Sequence, residues 1–172
     1  DMLIGGIPPE SDVDEIKITR PEIYFGELTN NYALTNTSED EFDYPDGNTN
    51  KYTTYEGDAG IKLNPLNRLM FAVRERSLKM LVSSNIKSDS KILINRNIKE
   101  RVREIMPYLS YDESPYMVTV DGKLYWIIDA YTSTSMYPYS EPYDSEKGST
   151  TNYIRNSVKV VIDAYNGNTD YY

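Results

Sequence analysis

The stretch from Pro115 to Tyr131 constrains the fold most, because it has the pattern of a single β-hairpin. Residues 116 to 120 alternate along a strand, and residues 124 to 131 are rich in β-branched and aromatic side chains. Between them, Asp121-Gly122 is a dipeptide that accepts the positive φ angles of a tight type I′ turn. The pattern therefore predicts two adjacent antiparallel strands.

A second hairpin pattern closes the sequence. Residues 158 to 165 form a strand pattern, Asn166-Gly167 has turn chemistry, and residues 168 to 172 return. Both hairpins contain Ile-Asp-Ala-Tyr, at 128 to 131 and at 162 to 165. We predict that the two hairpins share one antiparallel sheet and that Trp126 is largely buried in it. Asp129 and Asp163 are predicted to cap backbone amides where each strand bends.

Two helices accompany these strands. Asn64-Pro65 is a helix start, and an apolar stripe follows it to about residue 83. The stripe contains Leu66, Leu69, Met70, Val73, Met80 and Leu81. The second helix is predicted from Asn97 to Met106, where Pro107 stops it. Because helices and antiparallel strands alternate without a βαβ rhythm, the predicted fold class is α+β: an antiparallel sheet built from hairpins, with helices at about 65–83 and 97–106 packed on it.

The remaining segments are predicted from turn residues and polarity. Residues 1–19 are expected to be an extended N-terminal arm, and residues 20–172 a single domain. Within that domain, the stretches 22–28 and 31–36 read as a first hairpin, and Lys91 to Ile94 as a short strand. Residues 37–60 and 132–151 are polar or lack periodicity, so both are predicted to be long loops.

Composition excludes several chemistries. The 172 residues contain no cysteine and no histidine, which removes thiolate nucleophiles, the usual general base and the commonest ligands of transition metals. A net charge of −9 argues against nucleic acid and anionic lipid as partners. The chain has seventeen tyrosines and only three phenylalanines. A tyrosine ring suits a sheet face that is partly exposed to water, because its body is apolar and its hydroxyl is polar. Such a face either binds a partner or completes a small core.

One loop has part of the spacing of a calcium site. Asp46, Asn48 and Asn50 place oxygens at alternate positions, as a calcium loop begins. The rest of that pattern is missing. Gly47 stands at the second loop position and not at the sixth, and Gly57 stands at the twelfth, where a calcium loop has its closing glutamate. Asx-turn chemistry explains the same residues, so we predict no metal and no cofactor.

Acidic pairs are the remaining route to catalysis. Glu22, Glu27, Asp43, Asp112 and Asp129 are carboxylates that could act in pairs on a glycosidic bond. Among 27 acidic residues some such pair is expected by chance, and no nucleophile elbow, phosphate loop or dinucleotide motif is present. We therefore predict no catalytic residues and no enzyme activity. The alternative is a carboxylate-based hydrolase acting on cell-wall glycan.

The loop from 132 to 151 holds the candidate partner-binding residues Tyr137, Tyr139 and Tyr143. Tyrosine offers a large contact area at low entropic cost, and loops fixed by a rigid sheet are common recognition sites. In the opposing interpretation these rings fold back and cover the sheet.

The second predicted helix is basic within an acidic chain, with Arg96, Lys99, Arg101 and Arg103. We interpret it as a solvated helix face rather than as a docking site for an acidic partner.

Seven segments of the sequence carry a resemblance to known proteins. They are RPEIYFGE (20 to 27), EFDYP (41 to 45), YEGDAGI (55 to 61), LNRLMFA (66 to 72), DESPYMVTVDGKLYWIIDAYT (112 to 132), YPYS (137 to 140) and NYIRNSVKVVIDAYNG (152 to 167). Together they resemble a large family of bacterial multi-span membrane proteins that is still classed as uncharacterised. The resemblance implies that the chain is an excised part of the soluble region of such a protein. It implies that the parent lies in the cell membrane, tethered by an N-terminal region that this sequence lacks, with the domain extracytoplasmic.

No catalytic residues come with that resemblance. The absence of nucleophile motifs and the tyrosine loop lead us to predict a non-catalytic binding module, whose partner is another membrane protein, the rest of its own chain, or cell-wall glycan. A second likeness is to the small PepSY modules, through the order helix, strand, tight turn and a strand ending in Asp-Ala-Tyr-Asn-Gly. That likeness implies a protein-binding or inhibitory role.

Overall fold

The computed structural model describes residues 2–3, 10–11, 13, 16–46, 49–143 and 148–172. The strands are β1 (Met2–Leu3), β2 (Glu10–Ser11), β3 (Ala33–Thr35), β4 (Glu41–Asp46), β5 (Thr49–Thr53), β6 (Ile61–Lys62), β7 (Lys91–Leu93), β8 (Ser110–Tyr111), β9 (Tyr116–Val120), β10 (Lys123–Thr134), β11 (Tyr153–Asp163) and β12 (Thr169–Tyr171). The helices are α1 (Pro65–Arg74), α2 (Leu78–Val82) and α3 (Ile98–Ile105).

The two predicted hairpins lie in one antiparallel sheet, as expected, and the α+β class is confirmed. Its strand order is β12-β11-β10-β8, and β9 also pairs with β10. The turn between β9 and β10 has the predicted positive φ angles, 49° at Asp121 and 75° at Gly122. The strands that carry the two Ile-Asp-Ala-Tyr copies pair directly, but the copies themselves are offset, since Trp126 faces Ile162 and Ile128 faces Val160 in the register. The long strands β10 and β11 thus form the spine of the domain.

Helix α3 covers one face of this main sheet. The Asn97 side chain caps it by accepting hydrogen bonds from the amides of Lys99 and Glu100. Ile98 and Val102 are fully buried and pack into the same cluster as sheet residues such as Ile128. The second helix was therefore predicted correctly in position; of the apolar residues at its helical spacing, Ile98 and Val102 are buried and Ile105 is 47% exposed.

The helix from Pro65 differs from its prediction. The segment forms two helices, because α1 ends at Arg74. Just after it, Arg76 adopts a φ of 52°, and the Ser77 amide donates a hydrogen bond to the Ala72 carbonyl at 2.9 Å. Both helices pack on a second, three-stranded sheet of order β3-β7-β6 rather than on the main sheet. Phe71 and Ala72 face this smaller core. Of the predicted apolar stripe, Met80 is buried with them, whereas Leu66, Leu69, Met70, Val73 and Leu81 point outward.

The predicted first hairpin is wrong. The strand β3 pairs with β7, and the segment before it forms no strand of its own. Its backbone groups are taken by distant partners: the amides of Tyr24 and Phe25 both donate to the Ala164 carbonyl at 2.9 Å. Gly26 forms a parallel bridge with Asn97. Long-range pairing therefore prevailed over the turn chemistry of Asn30-Asn31, the two adjacent asparagines from which the sequence suggests a turn between these stretches.

The predicted loop at 37–60 is also partly wrong, because β4 and β5 form an antiparallel pair there. Beyond β5, Tyr55 is only 2% exposed and anchors the segment in the main core. Lys91 Nζ adds a hydrogen bond of 2.9 Å to the Gly57 carbonyl. Residues 47 and 48, which belong to the calcium-loop candidate, lie outside the described residues. So does much of the predicted N-terminal arm, of which β1 and β2 pair with each other.

The predictions for Trp126, Asp129 and Asp163 in the main sheet can be compared with the structure. Trp126 is partly buried and donates its indole N–H to the Phe25 carbonyl at 3.0 Å. Asp163 caps the end of β11 as expected, accepting from the amides of Tyr165 at 2.8 Å and Asn166 at 3.0 Å. Asp129 does not cap amides. It lies within β10 and pairs with Lys159 instead.

Candidate functional site

A cleft of about 580 Å³ opens beside the edge of the main sheet. Residues 21–24 form one wall, and β3 and the β4–β5 pair supply the others. Its apolar lining includes Ile23, Leu34 and Phe42. Its polar lining is dominated by carboxylates and contains Glu22, Glu41, Asp43, Tyr24, Thr53 and Arg96. A concave site with an apolar wall and a few polar groups has the general form of a small-ligand pocket.

Both carboxylate oxygens of Glu41 accept hydrogen bonds from other residues of the domain. Its Oε1 accepts from the Asn36 amide at 2.8 Å, and its Oε2 accepts from the Tyr24 hydroxyl at 2.7 Å. Burial raises the pKa of Tyr24 far above its usual range, and the hydrogen bond to Glu41 adds to the rise. Glu41 therefore fixes the Tyr24 ring in the wall of the cleft and is not free for chemistry.

Glu22 and Asp43 are the less occupied carboxylates. Glu22 Oε1 accepts from the Thr53 hydroxyl at 3.2 Å, while its Oε2 is buried and has no hydrogen-bond partner among the described residues. Burial raises the pKa of Asp43, and the negative charge of Glu22 raises it further. Two carboxylates of unequal environment therefore face one space, and such a pair can hold and donate a proton or accept hydrogen bonds from a ligand.

Arg96 forms part of the cleft floor. Its Nε donates to the Tyr24 carbonyl at 2.7 Å and its Nη1 to the Asn31 carbonyl at 3.1 Å. Burial lowers the pKa of this guanidinium. Its donors thus hold together the two backbone segments that were predicted to be a hairpin, and they give the cleft its shape.

The structure separates the other carboxylates that the sequence suggested. Glu27 pairs with Lys99 at 2.9 Å, and Asp112 caps the Ser114 amide at 2.8 Å. Asp129 is bound to Lys159. Only Glu22 and Asp43 of the five predicted candidates line the cleft. Glu41 was missed, because it begins a strand in a segment that was predicted to be a loop and carries no local motif.

No metal site is visible in the part of the chain that the structure describes. There, no three acidic side chains are grouped so as to hold an ion. The basic residues of the α3 region have internal partners: Lys99 binds Glu27, Arg103 binds Glu113, and the Arg101 guanidinium lies 5.0 Å from the centre of the Phe25 ring. Within the described residues, none of the helices is long and apolar enough to cross a membrane.

The predicted partner-binding tyrosines lie in the connection between β10 and β11. Tyr139 is fully exposed, Tyr143 is 70% exposed and Tyr137 is 52% exposed, so none of the three rings is in the core. Tyr137 stacks on Tyr153, with ring centroids 4.9 Å apart. Tyr139 has a φ of 58°, a backbone conformation that residues other than glycine seldom adopt.

Backbone contacts hold this loop in place. Asn152 accepts from the Tyr137 amide at 3.0 Å and donates to the carbonyls of Tyr137 at 2.9 Å and Ser140 at 3.1 Å. The Tyr143 amide donates to the Thr151 carbonyl at 3.1 Å. These contacts fix the backbone that presents the three rings.

The fold and the cleft define an α+β domain with an acidic pocket and a tyrosine-bearing loop. The chain belongs to the uncharacterised protein family UPF0182, whose family model matches residues 1–172. It is 55% identical over 172 residues to a UPF0182 protein of Clostridium botulinum (strain Okra / Type B1), covering 100% of this chain and 19% of that protein. It is 56% identical over 171 residues to a UPF0182 protein of Alkaliphilus metalliredigens, covering 99% of this chain and 18% of the relative.

A UPF0182 protein of Clostridium acetobutylicum is similar at 54% identity over 171 residues, 99% of this chain and 18% of that protein. The chain therefore spans about a fifth of the length of the curated relatives it matches. No solved structure matches it significantly. The resemblance to an uncharacterised bacterial family is thus confirmed, and the relatives are much longer proteins.

Proposed function

We propose that the chain is a non-catalytic interaction module, and that the tyrosine loop between β10 and β11 is its recognition surface. The observation that carries this proposal is the exposure of Tyr137, Tyr139 and Tyr143 on a loop braced at both ends. Tyrosine is enriched at protein interfaces because a rigid ring buries a large area and its hydroxyl keeps a polar contact. The partner is another membrane protein, another part of the longer protein, or a wall glycan.

The geometry favours binding over core packing for two of the three rings. Tyr139 and Tyr143 are more exposed than Tyr137 and make no ring contact within the described residues. Tyr137 has a mixed role, because its stack on Tyr153 stabilises the loop that presents the other two. Removing the ring of Tyr137 should therefore cost about 1 kcal/mol of stability, while the other two cost little.

The test is site-specific photocrosslinking in the full-length protein in its native membrane. A benzophenone amino acid at position 139 should give a crosslinked product, and changing Tyr137 and Tyr143 to Ser should remove most of it. The matched control is Tyr108→Ser, because Tyr108 is 75% exposed and lies outside the loop. An unchanged product in the loop variant, or a large fall in its melting temperature, would contradict the proposal.

The second part of the proposal is location. The domain lies on the extracytoplasmic side of a bacterial membrane, which is supported by the resemblance of its segments to a multi-span family and is compatible with the absence of cysteine. Because these 172 residues contain no cysteine, a Glu141→Cys change gives the domain a single thiol, and the full-length protein without that change gives the background labelling of cysteines elsewhere. Labelling by a membrane-impermeant maleimide in intact cells is expected, and labelling only after lysis would contradict this location.

One observation favours a second candidate, the carboxylate-based hydrolase. Glu22 and Asp43 line one cleft, and the Asp43 pKa is raised by burial and by the Glu22 charge, as in an acid and base pair. The test is release of reducing ends from cell-wall glycan by the full-length protein. Turnover that is lost in both Asp43→Asn and Glu22→Gln, but kept in Asp112→Asn, would replace the non-catalytic proposal.

A further inference from the structure

The outer surface of α1 and α2, which we term the helical face, is an exposed apolar surface. Its members are large aliphatic side chains that are between 38% and 81% exposed: Leu66, Leu69, Met70, Val73, Leu78, Leu81 and Val82. On α1 they recur at the i, i+3, i+4, i+7 spacing of one helix stripe. Contiguous apolar surface of this kind on a soluble domain marks an interaction site.

The exposure of the helical face does not result from incomplete packing of the smaller core. The inner side of the same helices is already filled, since Phe71, Ala72 and Met80 are buried against Leu63 and Ile92. Turning the outer stripe inward would expel Phe71 from that core. The exposed arrangement is therefore the one that buries the largest side chain.

The two helices are locked to each other. Arg68 reaches from α1 to the end of α2, where its Nε donates to the Met80 carbonyl at 2.6 Å and its Nη2 to the Ser83 carbonyl at 2.5 Å. Asn64 caps the start of α1 by accepting from the Asn67 amide at 2.8 Å. A partner therefore meets a preformed surface and does not need to order these helices first.

Charge around the helical face differs from that of the rest of the chain. Residues 65–83 contain four of the 18 basic residues and one of the 27 acidic ones, so this segment has a charge of +3 and the remaining residues together −12. Two +3 faces repel each other at close range, so a second copy of the chain is disfavoured as the occupant.

A groove runs along the edge of the helical face. It has a volume of about 490 Å³ and is lined by residues that include Leu63, Pro65, Leu81 and Ile86, with Arg68 and Lys87 as its cations. Such a groove accepts protruding side chains from a structured polypeptide. Apolar side chains flanked by Asp or Glu would match its lining and its charge.

We propose that the helical face docks onto a part of the longer polypeptide that lies outside these 172 residues, through an apolar segment with acidic flanks. Relatives that match the whole of this chain are about five times its length, since it covers only 19% of one of them. A segment in the same polypeptide meets the face at a high effective concentration, so a surface of modest size is enough to hold it. This surface is separate from the tyrosine loop.

The experiment uses the full-length protein with a benzophenone amino acid at position 70. The expected result is a crosslink within one polypeptide, identified by mass spectrometry as joining position 70 to a residue outside the 172. The double variant Leu69→Asp and Val73→Asp should lower its yield about tenfold. The control Leu28→Asp, at an apolar residue that is 91% exposed and outside α1 and α2, should leave the yield unchanged.

Other results would overturn the proposal. A product of twice the mass would show that a second copy occupies the helical face, and a lipid adduct in vesicles of phosphatidylglycerol and phosphatidylethanolamine would assign it to the bilayer. A crosslink to a different protein would make the partner external. If position 70 gives no product while the crosslinker at position 139 still gives one, the helical face has no occupant and the proposal is wrong.

Discussion

Asp129 and Lys159 face each other across the two longest strands, and their side chains form an ion pair of 2.5 Å. Asn156 also donates to Asp129 Oδ1 at 3.1 Å. The hydrogen bond from Lys159, with that from Asn156, holds the pKa of Asp129 below its usual range. The first Ile-Asp-Ala-Tyr copy therefore uses its aspartate to join β10 to β11, whereas the second uses Asp163 to end a strand.

This pairing predicts how stability depends on acid. A carboxylate with a lowered pKa in the folded state contributes stability that is fully present above about pH 4, the usual pKa of aspartate, and is lost as the pH falls through the lower folded pKa. Asp129→Asn should therefore be less stable than the wild type at neutral pH, and the gap should close below about pH 4. Urea unfolding followed at several pH values measures this. Lys159→Met should behave in the same way, and a gap that stays constant down to pH 3 would contradict the assignment.

The hairpins and α3 could be predicted from the sequence because local chemistry determines them. Asp121-Gly122 dictates its turn, and the Asn97 cap together with the Ile98 and Val102 spacing defines α3 and its buried face. The two long strands followed from their alternation and β-branched content. Each of these signals acts over a few residues, so no knowledge of the tertiary structure was needed.

The remaining fold and the site depend on long-range contacts that the sequence does not reveal. The stripe containing Leu69 and Val73 has the spacing of a core face, yet Phe71 on the opposite side displaces it. The cleft depends on Glu22 and Asp43 meeting across 21 positions of chain, and on Arg96 closing it from far along the sequence. Periodicity shows which residues share a face but not which face is covered.

Two glycines with similar backbone angles allow a controlled test of packing. Gly167 has a φ of 69° and lies against the Phe25 ring, so an added Cβ would come within 2.7 Å of ring carbons. Gly148 has a φ of 74°, and among the described residues no atom lies within 4 Å of the same position. Gly148→Ala should cost about 1 kcal/mol from backbone strain alone, and Gly167→Ala about 3 kcal/mol because it also displaces Phe25. Chemical denaturation measures both, and equal losses would show that the contact with Phe25 has no energetic weight.

The buried tyrosines predict a loss of stability in alkali. Tyr55 packs against Tyr24 and Tyr165, and burial raises its pKa to about 12. A raised pKa of this kind contributes stability that is fully present below about pH 10 and is lost as the pH rises through about 12. The domain should therefore unfold in that range, with tyrosinate absorbance rising together with the loss of circular dichroism.

The variant Tyr55→Phe isolates the phenol from the ring. It should cost about 1 kcal/mol at neutral pH, because the hydrogen bond of 3.2 Å from the Tyr55 hydroxyl to Asn166 is lost. Above pH 10 its stability should fall less steeply than that of the wild type. Tyr139→Phe, at a fully exposed ring, serves as the control and should follow the wild-type curve. Identical alkaline slopes for all three proteins would place the sensitive group elsewhere.

The final prediction concerns the pair of carboxylates in the cleft. Burial raises the pKa of Asp43 first and the Glu22 charge raises it further, so Glu22→Gln should lower that pKa while leaving it above the usual range of aspartate. Carboxyl carbon NMR titration measures the shift directly. Glu41→Gln is the matched control: it should leave Asp43 unchanged but lower the pKa of Tyr24, because Glu41 raises that pKa through its hydrogen bond and its charge. An Asp43 pKa that does not respond to Glu22→Gln would mean that the two groups do not act on each other, and the hydrolase candidate would lose its acid and base.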